Sequence, residues 1–146
     1  MRSKLINTVN RDGQRTFALI FETGDEVQEG LMRFATEQRL TASHFTAIGA
    51  FSDVVLGYFD WQTKEYKKIP VREQVEVLSL VGDIACESGK PKIHAHVVVG
   101  KSDGSTRGGH LMEGHVRPTL EVILEESPAY LQREKDPESG LALIKI

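Results

Sequence analysis

Residues 92–111 read KIHAHVVVGKSDGSTRGGHL and hold three of the chain's five histidines. The segment IHAHVVVG is rich in β-branched residues and bounded by turn formers, so it reads as a strand. Residues two apart on a strand face the same way, so His94 and His96 project together while Ala95 faces the other side. Their Cα atoms lie about 6.6 Å apart at a rise of about 3.3 Å per residue. Two imidazoles at that separation both reach one ion at about 2.0–2.1 Å from nitrogen. His110 returns after the polar stretch GKSDGSTRGG, where Gly108 and Gly109 let the backbone pass close to a site or take positive φ. Three neutral imidazoles with an open position suit Zn²⁺, and Ni²⁺, Fe²⁺ and Mn²⁺ are compatible. Spacing alone leaves a second reading open, in which the histidine pair packs or hydrogen-bonds at a surface.

Three polar residues near His110 enter the same question. Glu113, three positions on, is the candidate for proton transfer or for supporting a ligand histidine. His115 is a candidate fourth ligand. Asp103, in SDGS, reads as a turn former. His44 has no partner visible in sequence.

Outward from this stretch the pattern is mostly β. Residues 16–22, TFALIFE, form a buried strand. Asp25 or Thr23 is placed to cap a helix whose apolar residues Val27, Leu31, Phe34 and Ala35 recur at helical spacing. Gly30 costs that helix about 1 kcal/mol relative to alanine. Residues 43–61, SHFTAIGAFSDVVLGYFDW, read as two strands with Gly49 at a bend or close contact. EYKKIPV and QVEVLSLVGDIAC continue the β pattern, ESGKPK is a turn, and TLEVILEES is a strand with Pro118 just before it. HLMEGHV is read as one helical turn or irregular chain, REKDPESG as exposed loop, and LALIKI as a short closing strand. One clear helix, a second helix of unfixed position and about eight strands predict an α+β fold: a mostly antiparallel sheet with flanking helices.

At 146 residues, 40% of them hydrophobic, the chain suits a single domain, residues 1–146, with a core of its own. The net charge of −3 opposes overall attraction to nucleic acid or an anionic membrane. A local cluster, Lys64, Lys67 and Lys68, is read as a solvated turn or edge. One cysteine, Cys86, excludes an internal disulfide, and a buried thiol in a cytoplasmic protein is expected. The opening MRSKLINTVN has no apolar segment of signal-peptide length, and no apolar run is long enough to span a bilayer.

The order of these segments resembles the PPC domain family (plants and prokaryotes conserved, also DUF296). Its prokaryotic members are often labelled predicted DNA-binding proteins with a PD1-like motif. The resemblance rests on ETGDEVQEGLMRFATEQRLTASHFTAIGAFSDVVLGYFD, on EVLSLVGDIA, and above all on HAHVVVGKSDGSTRGGHLMEGHVRPTLEVIL. It implies an antiparallel-rich sheet with flanking helices, a homotrimer, and a metal at His94, His96 and His110. Plant members carry a basic AT-hook of the Arg-Gly-Arg-Pro type, and this chain has none. Glu22 and Thr23 also stand where a basic residue is expected before the Gly-acidic pair.

Two functions follow from different classes. The first is a trimer whose three-histidine centre binds a small anionic or carbonyl ligand, or acts on water as a Lewis acid, with Glu113 moving the proton. The second is a DNA-binding or regulatory module, carried by the family label and the lysine cluster. Duplex binding that disappears with added salt separates the second from the first. A cupin-like enzyme ranks below both, because HAHVVVGKSDG lacks the glutamate expected soon after the second histidine.

Overall fold

The computed structural model describes residues 1–7 and 13–146. In chain order the elements are β1 (Arg2–Asn7), β2 (Arg15–Glu22), α1 (Val27–Gln38), β3 (Ala42–Asp60), β4 (Glu65–Val71), β5 (Val75–Glu87), β6 (Lys90–Gly100), β7 (Thr106–Glu126), β8 (Gln132–Lys135) and β9 (Ala142–Lys145). The hydrogen-bonded order is β1-β2-β7-β3-β5-β8-β9. β4 adds to β3, while β6 bonds both β5 and β7 and so closes a ring β3-β5-β6-β7. All pairings are antiparallel except the short β5–β8 one. The expected sheet is present. The flanking helices are not: among the described residues α1 is the sole helix.

That helix follows its sequence closely. Val27, Gly30, Leu31, Phe34 and Ala35 are buried, a stripe at i, i+3, i+4, i+7 and i+8. Phe34 meets Phe17 of β2 edge to face, ring centroids 5.1 Å apart. Gly30 lies against Phe21, where a Cβ would sit 2.4 Å from the ring. Its cost in helix propensity is thus offset by closer helix–sheet packing. The cap is neither Asp25 nor Thr23. Glu26 accepts from Glu29 N at 2.7 Å and from Gly114 N at 3.0 Å, tying the helix start to β7. Asp25 instead accepts from Glu22 N and pairs with the N-terminal amine at 2.7 Å.

Three segments differ from the sequence reading. Residues 43–61 are not two strands: β3 runs unbroken through Gly49, with register shifts where it crosses its neighbours. HLMEGHV is neither a helical turn nor irregular, and Pro118 does not precede a strand; both lie within the 21-residue β7. REKDPESG begins as strand β8, with Arg133 buried. In each case long-range ladder bonds override local helix and turn signals. Cys86 is buried, as expected.

One core links both faces of the helix–sheet contact, from Phe17, Leu19 and Phe21 through Phe45, Phe51 and Leu56 to Leu120, Val122 and Leu124. Glu126, nearly fully buried, accepts from Thr41 N at 2.8 Å, from Ala42 N at 3.3 Å and from the Ser43 hydroxyl, pinning the end of β7 to the start of β3. Where β3 crosses β7, Gly49 has φ +152° and a Cβ there would lie 2.2 Å from Thr119 O. The neighbour is backbone and has nowhere to go. Gly49→Ala is expected to destabilise by about 2–3 kcal/mol, the upper part of the range for overpacking. That corresponds to a Tm lower by roughly 4–12 °C at this chain size. A thermal melt within 2 °C of wild type would refute this reading of the crossing.

Candidate metal centre

Strands β5, β6 and β7 build the site by register alone. Across β6–β7, His96 stands directly opposite His110; across β5–β6, Val81 faces His96 and Asp83 faces His94. The pleat sends Ala95 into the core and turns His94 and His96 to one side. The three rings converge. Centroids lie 5.0 Å apart for His94 and His96, 5.4 Å for His94 and His110, and 5.5 Å for His96 and His110. One nitrogen from each lies within 4.8 Å of the others. His94 Nε2 and His96 Nε2 are 3.2 Å apart, close to the roughly 3.3 Å between two nitrogens at about 2.0–2.1 Å from a tetrahedral ion.

The glycine pair works through space rather than φ. Neither Gly108 nor Gly109 has positive φ. A Cβ on Gly109 would lie 2.7 Å from Gly57 O, so only glycine lets β7 press onto β3 beside His110. Tyr66 of β4 covers the other side of His110, ring centroids 4.9 Å apart. Burial raises the Tyr66 phenol above its ordinary value, so it stays protonated at neutral pH.

Electrostatics favour neutral imidazoles. Burial pushes His110 down to about 4, and neighbouring His94 and His96 oppose its protonation further. His94 is also held below the usual histidine range, first by burial, against the pull of Asp83. The neutral form is the one that ligates. His110 Nδ1 is buried and finds no hydrogen-bond partner among the described residues. Three converging imidazoles, one of them carrying an orphaned buried nitrogen, fit a divalent cation. Two concavities reach the cluster. One of about 320 Å³ is lined by Tyr66, Lys92, His94, His110, Arg133 and Leu141, and one of about 530 Å³ by Tyr58, Phe59, Val81, His96 and Gly109.

Glu113 and His115 do not join the three. Three residues of strand carry Glu113 about 10 Å along the chain from His110, where a helical turn would have kept it within about 6 Å. Both residues line a separate cleft of about 650 Å³ with Glu26, Gln28 and Arg33. There His115 Nδ1 bonds Asp53 Oδ1 at 2.8 Å, and its Nε2 lies 3.7 Å from Glu113. The hydrogen bond to Asp53 raises the His115 pKa and lowers that of Asp53. Asp103 is the expected turn former, accepting from Ser105 N at 2.9 Å. His44 lies 3.5 Å from Glu125, its cross-strand neighbour. Lys64 sits over the Trp61 ring at 3.4 Å, and Lys67 and Lys68 are exposed on β4.

Sequence reading missed Asp83, Tyr66 and Arg133. Asp83 carried a signal: a lone carboxylate inside the apolar run VLSLVGDIAC. Its Oδ2 lies 3.9 Å from His94 Nδ1 and its Oδ1 pairs with Arg133. Arg133, in a polar segment, carried none.

Comparison with known proteins now places the chain. The Plants and Prokaryotes Conserved (PCC) domain matches residues 9–128. A plant- and prokaryote-conserved protein of Pyrococcus horikoshii superposes with a TM-score of 0.85 at 33% identity, over 90% of this chain and 92% of that one. An Archaeoglobus fulgidus protein described as metal-containing does so at 0.83 and 33%, over 100% of both. A Bacteroides thetaiotaomicron protein, provisionally described as DNA-binding, gives 0.84 and 25%, over 94% of both. The bifunctional protein GlmU of Synechococcus sp. strain JA-3-3Ab is 34% identical over 135 residues, 90% of this chain; the chain spans 20% of that protein's length. With the domain matched over residues 9–128 and the fold shared with its solved members, the chain belongs to the Plants and Prokaryotes Conserved (PCC) domain family.

Proposed function

We propose that this chain is a cytoplasmic, homotrimeric metal-binding protein, a single domain over residues 1–146, whose His94, His96 and His110 hold a divalent ion. The convergence of three imidazole nitrogens within 4.8 Å carries the reading. The description of the Archaeoglobus relative as metal-containing supports it. Zinc is the preferred ion, because all-imidazole ligation suits it and the His94 and His96 nitrogens already stand 3.2 Å apart, with Ni²⁺, Fe²⁺ and Mn²⁺ as alternatives. The bound ion would supply Lewis acidity.

A small anionic or carbonyl ligand is the proposed occupant of the adjoining cavities. The carboxylate nearest the cluster, Asp83, is already matched by Arg133, so three neutral imidazoles leave a divalent charge for an anion to balance. Glu113 is withdrawn as its proton-transfer partner, since it lines the other cleft. No helix among the described residues is long and apolar enough to cross a membrane.

Trimerisation has its support in a patch on the sheet. Ile48, Leu78, Val81 and Ile123 are 62%, 52%, 49% and 45% exposed and line one shallow depression. A contiguous apolar surface of this kind suits burial against further copies of the chain. The DNA-binding alternative draws on the description of the Bacteroides relative. A net charge of −3, and a lysine cluster of which Lys64 is engaged by Trp61, argue against it.

Three outcomes are expected. Protein purified without a histidine tag should carry about one equivalent of divalent metal per chain by elemental analysis, and His94→Ala should carry less than a tenth of that. Metal-free wild type, or a variant that retains its metal, would sink the assignment. Light scattering should give a mass three times the 16.3 kDa chain, and Leu78→Glu should reduce it to one. A monomeric wild type would end the trimer reading. After chelation, stability should fall as pH drops from about 6.5 toward 4. His110 titrates near 4 when folded but near 6.5 when unfolded, so the unfolded chain binds the extra proton across that window. His110→Asn should flatten that part of the Tm–pH curve relative to wild type, and identical slopes would contradict the assigned environment.

A further inference from the structure

The β8–β9 hairpin lies beyond residues 9–128, the span over which the PCC domain matches, yet it reaches the histidine cluster. β8 adds in parallel to the end of β5, setting Gln132 against Cys86 and Arg133 against Glu87. Arg133 then points inward, its side chain only 4% exposed. Its Nη1 donates to Ala142 O of β9 at 2.8 Å, its Nη2 donates to Asp83 Oδ1, and its Nε is buried with no hydrogen-bond partner among the described residues. A buried guanidinium is costly unless paired, so Asp83 and Arg133 hold each other in place.

Asp83 faces His94 across the β5–β6 ladder. One carboxylate oxygen is bound by Arg133; the other lies 3.9 Å from His94 Nδ1, within ion-pair reach and longer than a hydrogen bond. His94 Nε2 points the opposite way, toward His96. The chain of contacts runs from the Ala142 carbonyl through Arg133 and Asp83 to the back of one ligand histidine. A carboxylate behind a ligating imidazole fixes its tautomer and ring orientation and raises its basicity.

We propose that Arg133 is a positioning residue for the metal centre: it locks Asp83 behind His94, so that the C-terminal hairpin sets the metal affinity of this chain. The inference rests on the three-histidine reading and adds a control element supplied by the C-terminal hairpin. Arg133 acts through Asp83 and does not itself ligate. If the role were merely structural, the charge would serve packing between β8, β9 and β5 and leave His94 unaffected.

The test uses the full chain and zinc alone. Zinc dissociation constants come from competition with a chromogenic chelator for wild type, Arg133→Met, Arg133→Lys, Asp83→Asn and the double variant Asp83→Asn/Arg133→Met. Each Met or Asn variant should bind zinc about 10–100-fold more weakly, the penalty typical of losing a partner behind a ligand. The double variant should lose no more than the worse single, because both act along one path, and Arg133→Lys should recover part of the loss. Imidazole ¹⁵N spectra should show His94 Nδ1 shifted in the single variants while His96 stays put, a signature that loss of packing does not produce. Should Arg133→Met fail to fold, Asp83→Leu/Arg133→Met removes both charges together and is read by the same competition. Variants that all bind zinc within twofold of wild type would overturn the inference and leave the three-histidine reading standing. A wild type that binds no zinc would overturn both.

Discussion

The pairing of His96 with His110 across the β6–β7 ladder is the constraint on which the site depends. It is a statement about register. A slip of one residue on either strand would turn one of the two imidazoles to the opposite face. Nothing in the local sequence prevents that slip. Closure prevents it: β7 is held by β2 and β3 along much of its length, β6 by β5, and β3 and β5 by each other. With four ladders closed into a ring, no strand can shift unless its neighbours shift as well. The core positions Val97, Val99, Leu111, Leu120 and Val122, all buried, add the hydrophobic cost of any shift.

Helix α1 was legible because one chain segment carried both its period and its apolar stripe. Its cap was not, because the choice of Glu26 over Asp25 depends on Gly114 N, eighty-eight residues away. The same division explains the strands. β6 is short, alternating and bounded by turn residues, and its pleat could be read directly. β3 and β7, at 19 and 21 residues, pass through glycines and a proline that normally end strands. They continue because each meets a different partner along its length, with bulges where the partner changes. The segment 110–116 contains Glu and Met, good helix formers, yet forms strand between two ladders.

For the site, the three ligand candidates could be found because chemistry and spacing coincide on adjacent strands. Asp83 could be suspected only as a carboxylate in an apolar run. Arg133 lay out of reach, since no periodicity links residue 133 to residue 83; they meet because β8 adds to the end of β5. Residues that directly ligate come from a motif, whereas those that orient the ligands come from topology.

Two histidines on one strand show why residue type alone is a poor guide. His110 and His115 are five positions apart on β7. Around His110 the chain packs Tyr66 and two further imidazoles, and burial first, then the neighbouring His94 and His96, disfavour a proton. Around His115 it places Asp53 within hydrogen-bond distance and Glu113 and Glu26 nearby, and each of these favours one. A ring kept neutral offers a lone pair to an ion; His115 has a carboxylate facing each of its nitrogens, Asp53 at 2.8 Å and Glu113 at 3.7 Å, and is held toward its protonated form. The sequence GGHLMEGHV presents both as candidates for one ion. The difference arises where β7 leaves β6: beyond that point the strand meets the turn that leads into α1, where Glu26 bridges His115, and Gly24 and Asp25 bond the Val116 backbone. The end of the β6–β7 ladder is therefore also the boundary between the two environments, and it separates the histidine that can ligate from the one that is committed to Asp53.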